Sequence, residues 1–188
     1  MKKKIQLKKS NFIKYLILYF ILMMISNFIK IECLVNNLVI ESVDVALISG
    51  HISSIISSLF IIFLLIIIIV ICYFIKEIFF ESLNFESVLD SIKTVIITFI
   101  IFELFRIALI YFVLFDEIKQ IDVNTNIMEQ LYNTDWYFVN SKINLVLIFL
   151  GTILFGTEIY SKEHKIFPSI TFSIIFMCSF YLVNVDFF

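Results

Sequence analysis

The sequence predicts an all-α polytopic membrane protein, a bundle of five transmembrane helices with an interfacial amphipathic helix after the second. Three observations predict it. Five long apolar stretches, at 12–31, 52–75, 94–115, 140–159 and 166–185, each approach or exceed the roughly 20 residues that carry a helix across the hydrocarbon core. Of the 188 residues, 61% are hydrophobic and 16% charged, where soluble domains are about 45–50% apolar and a quarter charged. The loops between the stretches also alternate in basic content, as loops on opposite sides of a membrane do. Residues 1–188 therefore form a single integral membrane domain with a multi-pass cell-membrane location, and its first partner is the lipid bilayer.

The basic run Lys2, Lys3, Lys4, Lys8, Lys9 and Lys14 holds the N-terminus on the cytoplasmic side. The first stretch is too long for a signal-peptide core and no small-residue cleavage site follows, so it is expected to stay as a helix. The next loop carries Glu32, Glu41 and Asp44 and lacks Lys or Arg after Lys30, which places it outside. The second connection has Lys76 and Lys93 near the span ends and falls inside. Within it, Phe85, Val88, Leu89 and Ile92 recur at helical spacing among Glu86, Asp90 and Lys93, the pattern of a helix lying in the interface plane.

The third connection holds Asp116, Glu117, Asp122, Glu129 and Asp135 against Lys119 and Lys142, and is outer. Its aromatics Trp136, Tyr137 and Phe138 suit the headgroup level at the mouth of the fourth span. The short loop with Lys162 and Lys165 returns inside, and Pro168 marks the start of the fifth helix, where a missing N–H costs nothing. The C-terminus is then extracytoplasmic.

Two sets of residues stand out. Glu103 and Arg106 sit near the middle of the third stretch, three residues apart and so on one helix side. Charges at that depth cost roughly 2.5–3.5 kcal/mol each on insertion scales, so they face protein or a cavity. They form either a self-neutralised pair docking this helix to its neighbours, or a proton or cation site on Glu103 tuned by Arg106. The second set is two interleaved rows of small residues on the second span: Ser49, Ser53, Ser57 and Gly50, Ser54, Ser58. Four-residue spacing stacks each row along one side, where small side chains admit a neighbouring backbone. That makes a helix-packing face, with a hydroxyl-lined polar pathway as the alternative.

Catalytic motifs are missing from the sequence. It has no His-Glu-x-x-His, no Gly-x-Ser-x-Gly, no phosphate loop and no dinucleotide fingerprint. The stretch from Glu103 to Arg106 lacks the doubled Glu and the spacing of the CAAX-type intramembrane proteases. His51 and His164 are expected on opposite sides of the membrane, and Cys33, Cys72 and Cys178 lie on separate segments without metal spacing. The expectation is a non-enzymatic protein without cofactor or metal, and without a nucleic-acid partner.

The chain resembles the Yip-type family of five-span membrane proteins. The resemblance lies in Asn84-Phe85-Glu86-Ser87-Val88-Leu89 before the third span, in Asp135-Trp136 entering the fourth, and in Tyr160-Ser161-Lys162-Glu163-His164-Lys165 before the fifth. It covers roughly residues 52–188. Glu81 and Ser82 stand where the family often has glycine. The resemblance implies a five-span fold with a cytoplasmic N-terminus more than it implies an activity.

These readings favour a scaffold or accessory subunit that assembles with other membrane chains or with copies of itself. A small transporter or ABC-type permease subunit using Glu103 and Arg106 is the alternative. A bacteriocin-type immunity protein is a third reading, resting on composition.

Overall fold

The computed structural model describes the backbone of residues 2–38, 42–123 and 125–185, and the side chains of 12–38, 42–123 and 125–181. The chain is all-α. It comprises α1 (Lys2–Leu38), α2 (Val43–Phe79), α3 (Phe85–Ile118), the short α4 (Ile127–Tyr132), α5 (Asp135–Glu163) and α6 (Ile166–Val185). Four of these are long and apolar enough to cross a membrane: α1 from Phe12, α2, α3 and α5. The described apolar part of α6, Ile166–Tyr181, is shorter than the others.

The expected interfacial helix after the second span does not exist as a separate element. Residues 85–93 are the first turns of α3, and Val88 and Ile92 are fully buried in the bundle core. The apolar face is genuine, but it meets protein instead of headgroups. Ser87 and Ser91 share that burial, and Ser91 Oγ donates to the Ser87 carbonyl, so its hydroxyl needs no water. With its polar groups satisfied, this stretch continues straight into the apolar run.

The helices close a ring. α1 packs on α2 and α3, α3 on α5, α5 on α6, and α6 returns to α2 through a lighter contact. The main apolar cluster fills this ring toward the end where α2 meets α3. Its members include Leu65, Ile68 and Cys72 of α2, Val95, Ile96 and Phe99 of α3, Phe155 and Ile159 of α5, and Phe172 and Phe176 of α6. A smaller cluster of Cys33, Ile110, Leu114, Ile118 and Trp136 ties α1, α3 and α5 together at the opposite end.

Two glycines set the α5–α6 distance. A methyl at Gly151 would press on the rings of Phe176 and Phe99 at 3.1 and 3.2 Å, and one at Gly156 would collide with the Ser173 hydroxyl. The five-residue spacing of these glycines falls outside the usual small-residue motif, yet Gly156 is where the two helices come closest to needing a bare Cα. On the outside, residues such as Ile52, Ile56, Phe63, Phe112 and Ile153 remain more than half exposed. An apolar exterior on this scale is what lipid covers.

The ends are tied by local chemistry. Glu117 at the end of α3 accepts from the backbone N–H groups of Asp135 and Trp136, each at 3.0 Å, while Thr134 caps Tyr137 N. Three donors at the start of α5 that the helix leaves unpaired are thereby satisfied. At the other end, Glu163 accepts from Asn84 N and the Ser87 hydroxyl, and Lys165 Nζ donates to Ser82 O at 2.9 Å. His164, at φ 53°, makes the left-handed turn between α5 and α6.

Candidate functional site

Between the two apolar clusters lies a partly open cavity of about 300 Å3 lined by α1, α2, α3, α5 and α6. Its floor is apolar, built by Tyr19, Met23, Leu64, Phe99, Leu147 and Phe180. Above that floor the lining becomes polar on four helices at once. α1 supplies Ser26, Asn27 and Lys30; α2 supplies Ser53, Ser54 and Ser57; α3 supplies Glu103 and Arg106; α5 supplies Asn140 and Asn144.

Helical spacing produces this convergence. Ser26 and Lys30 are four residues apart on α1, as are Asn140 and Asn144 on α5, so each pair points to one side. Glu103 and Arg106 do the same on α3. The pair expected from sequence forms, with Arg106 Nη1 donating to Glu103 Oε1 at 2.7 Å. Arg106 then reaches across to α5, where Nη2 donates to Asn144 Oδ1 at 2.6 Å. Glu103 is 2% exposed.

The group is incompletely satisfied. Glu103 Oε2, Arg106 Nε, Ser26 Oγ and Asn140 Oδ1 are buried and have no hydrogen-bond partner among the described residues. Ser26 stands beside the Glu103 carboxylate without making a hydrogen bond of normal geometry. Lys30 lies close enough to feel the charges of both Glu103 and Arg106, yet makes no ion pair among the described residues. Buried polar atoms left this way each cost about 1–3 kcal/mol, a cost that water or a polar ligand in the cavity would offset.

The two small-residue rows separate in their roles. Gly50, Ser54 and Ser58 turn inward: a methyl at Gly50 would strike Ile31 Cγ2 at 2.7 Å, and Ser54 and Ser58 are buried. Ser53 and Ser57 face the cavity, and Ser54 borders it too, whereas Ser49 is exposed and bonds its own helix at Ala46 O. His51 and His164 stand at opposite ends of the bundle, and among the described residues no three His, Cys, Asp or Glu side chains gather as a metal site.

Sequence reasoning missed Lys30, Ser26, Asn27, Asn140 and Asn144. Asn27 and Lys30 fall toward the end of the first apolar stretch, and Asn140 and Asn144 at the start of the fourth. Their signal was present as repeated polar residues at four-residue spacing within otherwise apolar helices, Ser26/Lys30 and Asn140/Asn144. Comparison with protein-family models, with curated proteins and with solved structures finds no match, so the site is interpreted from its own chemistry.

A polar segment of α3 neighbours a change in helix geometry. Residues Ile110–Leu114 wind as a π-turn one turn beyond Arg106. Such a turn shifts the downstream face, and here it brings Ile110, Leu114 and Ile118 onto the side covered by Cys33 and Trp136. The charged wall at Glu103 and Arg106 thus lies one turn before the second apolar cluster.

Proposed function

We propose that this chain is a non-enzymatic, five-span membrane protein that binds a small polar solute between its helices and serves as a small transporter or permease subunit. The observation that supports this reading is the convergence of Lys30, Glu103, Arg106, Asn140 and Asn144 on one cavity at bilayer depth. Polar and charged residues in that position cost insertion energy and recur where membrane proteins handle solutes. A scaffold or an immunity protein has no need of the cavity, so the transport reading moves ahead of them.

The basic N-terminal run keeps the α2–α3 and α5–α6 turns cytoplasmic. On that orientation the cavity lies in the half of the membrane facing outward. The cytoplasmic half is closed by the main apolar cluster and by the Glu163 and Lys165 contacts.

A thermal-shift screen tests the reading. The full chain in lipid nanodiscs is heated with pools of polar solutes, beside the Asn144→Ala and Lys30→Gln variants. A bound solute at a hundredfold excess over its Kd stabilises the folded state by about 2.7 kcal/mol. The expected result is stabilisation of the parent chain that both variants weaken. If no pool acts, and a folded Glu103→Gln/Arg106→Gln chain retains the same co-purifying membrane subunits, the scaffold reading takes its place.

A further inference from the structure

The polar atoms of the cavity are sorted by type along its depth. Nearest the apolar floor is a buried acceptor, Glu103 Oε2, with the Ser26 hydroxyl beside it. One helical turn toward the other end, on the same helix faces, stand donors: Lys30 on α1 and Arg106 Nε on α3. The rise per residue makes these steps about 6 Å from Ser26 to Lys30 and about 4.5 Å from Glu103 to Arg106. Asn140 adds an amide that presents either its oxygen or its nitrogen.

We infer, resting on the solute-binding reading above, that the ligand is zwitterionic, with one ammonium and one oxyanion a few bonds apart. The charge count and the orphan atoms select this class together. Two basic side chains, Lys30 and Arg106, already face the single acid Glu103, so a purely cationic ligand would have to share that one acid with both. A purely anionic ligand would meet the two basic side chains but put nothing cationic beside Glu103 Oε2, the buried acceptor at the other end. A zwitterion answers both: its ammonium goes down to Glu103 and Ser26, and its oxyanion up to Lys30 and Arg106.

Size narrows the class further. A volume of about 300 Å3 is at the small end of ligand sites and holds an amino acid or an ethanolamine phosphate, with Phe60, Leu64 and Phe180 left for an apolar substituent. The same ammonium–oxyanion chemistry occurs in a free solute and in the headgroup of phosphatidylethanolamine, and the test separates the two.

The experiment measures binding to the full chain in nanodiscs of phosphatidylglycerol alone. The probes are L-leucine, glycine and phosphoethanolamine, each set against its amine-only and acid-only analogue: 3-methylbutylamine and 4-methylpentanoate, methylamine and acetate, ethylamine and ethyl phosphate. At least one zwitterion is expected to bind about 30-fold more tightly than either of its analogues, the low end of what removing one partner of a buried charge pair costs. Lys30→Gln, at a half-buried position without an ion pair, should fold and lose the advantage of the zwitterion over the amine. Phosphatidylethanolamine in the discs displaces the probe if the natural occupant is a headgroup, and leaves its affinity unchanged if the occupant is a free solute. An analogue that matches its zwitterion overturns the inference and leaves the cavity as a binding site of another class. Failure of every probe, with no stabilisation by phosphatidylethanolamine, also overturns it, and the solute screen then judges the site independently.

Discussion

Arg106 Nη2 donates to Asn144 Oδ1 across 2.6 Å, and this bond fixes the centre of α3 to α5 while Nη1 holds Glu103. A carboxylate and a guanidinium that merely cancelled each other on one helix would need no third residue. The reach to α5 turns a local pair into a tie between two walls of the cavity.

That relationship predicts a non-additive mutational cycle. Arg106→Gln alone leaves the Glu103 carboxylate buried without its cation, and should destabilise the protein by about 3–5 kcal/mol. Adding Glu103→Gln should recover most of the loss, because replacing both members of a buried pair is often near neutral. Denaturation of the purified variants in detergent measures the cycle. Additive losses would mean that the two residues act separately.

Gly156 predicts a second cycle on the far side of the ring. The Cβ of Gly156→Ala collides with Ser173 Oγ, whose hydroxyl donates to Ser169 O at 2.8 Å and so has a defined place. Overpacking of this kind costs about 1–3 kcal/mol. Ser173→Ala removes the colliding oxygen, while Ser173 Cβ lies at 3.5 Å from the added methyl, an ordinary contact. The double variant should therefore regain most of the stability that Gly156→Ala loses. Equal melting points for parent and Gly156→Ala would refute the tight seam.

The sequence carried the long helices because membrane insertion leaves its mark residue by residue: a run of Ile, Leu and Phe such as 59–69 has few other uses. It carried the Glu103–Arg106 contact for a similar reason, since both partners lie on one helix at fixed spacing. The amphipathic face at Phe85, Val88 and Ile92 was legible, but its destination was not. Periodicity says that one side of a helix is apolar without saying whether protein or headgroups cover it. The cavity was the least legible feature. Ser26, Lys30, Asn144 and Ser53 come from three different helices, and only the ring closure of α1, α2, α3, α5 and α6 shows that they share a space.

The start of α5 offers a test of end capping. Both carboxylate oxygens of Glu117 are used, one on Asp135 N and one on Trp136 N. Glu117→Ala removes both acceptors and should cost about 1–2 kcal/mol, the range of a strong helix cap. Glu117→Gln keeps one acceptor oxygen and should cost less. Hydrogen exchange at Asp135 and Trp136 reads the effect locally, and unchanged exchange in Glu117→Ala would show that Thr134 and water suffice.

Cavity access and orientation are tested together by placing single cysteines in a chain with Cys33, Cys72 and Cys178 replaced by Ala. Ser53 lines the cavity, whereas its neighbour Ile52 is 53% exposed and does not. A thiol facing hydrocarbon is inert toward a charged, membrane-impermeant maleimide, because the reactive species is the thiolate and the reagent stays in water. Ser53→Cys should therefore label from outside the cell and Ile52→Cys should not, although the two are adjacent in the chain. Asn126→Cys, in the connection between α3 and α5, should label from the same side. Lys162→Cys, near the α5–α6 turn, should label only after the membrane is permeabilised. Labelling of Ser53→Cys and Lys162→Cys from one side would reverse the arrangement of the helix ends. Equal reactivity at 52 and 53 would place both in the same medium and remove the aqueous cavity on which the functional proposal depends.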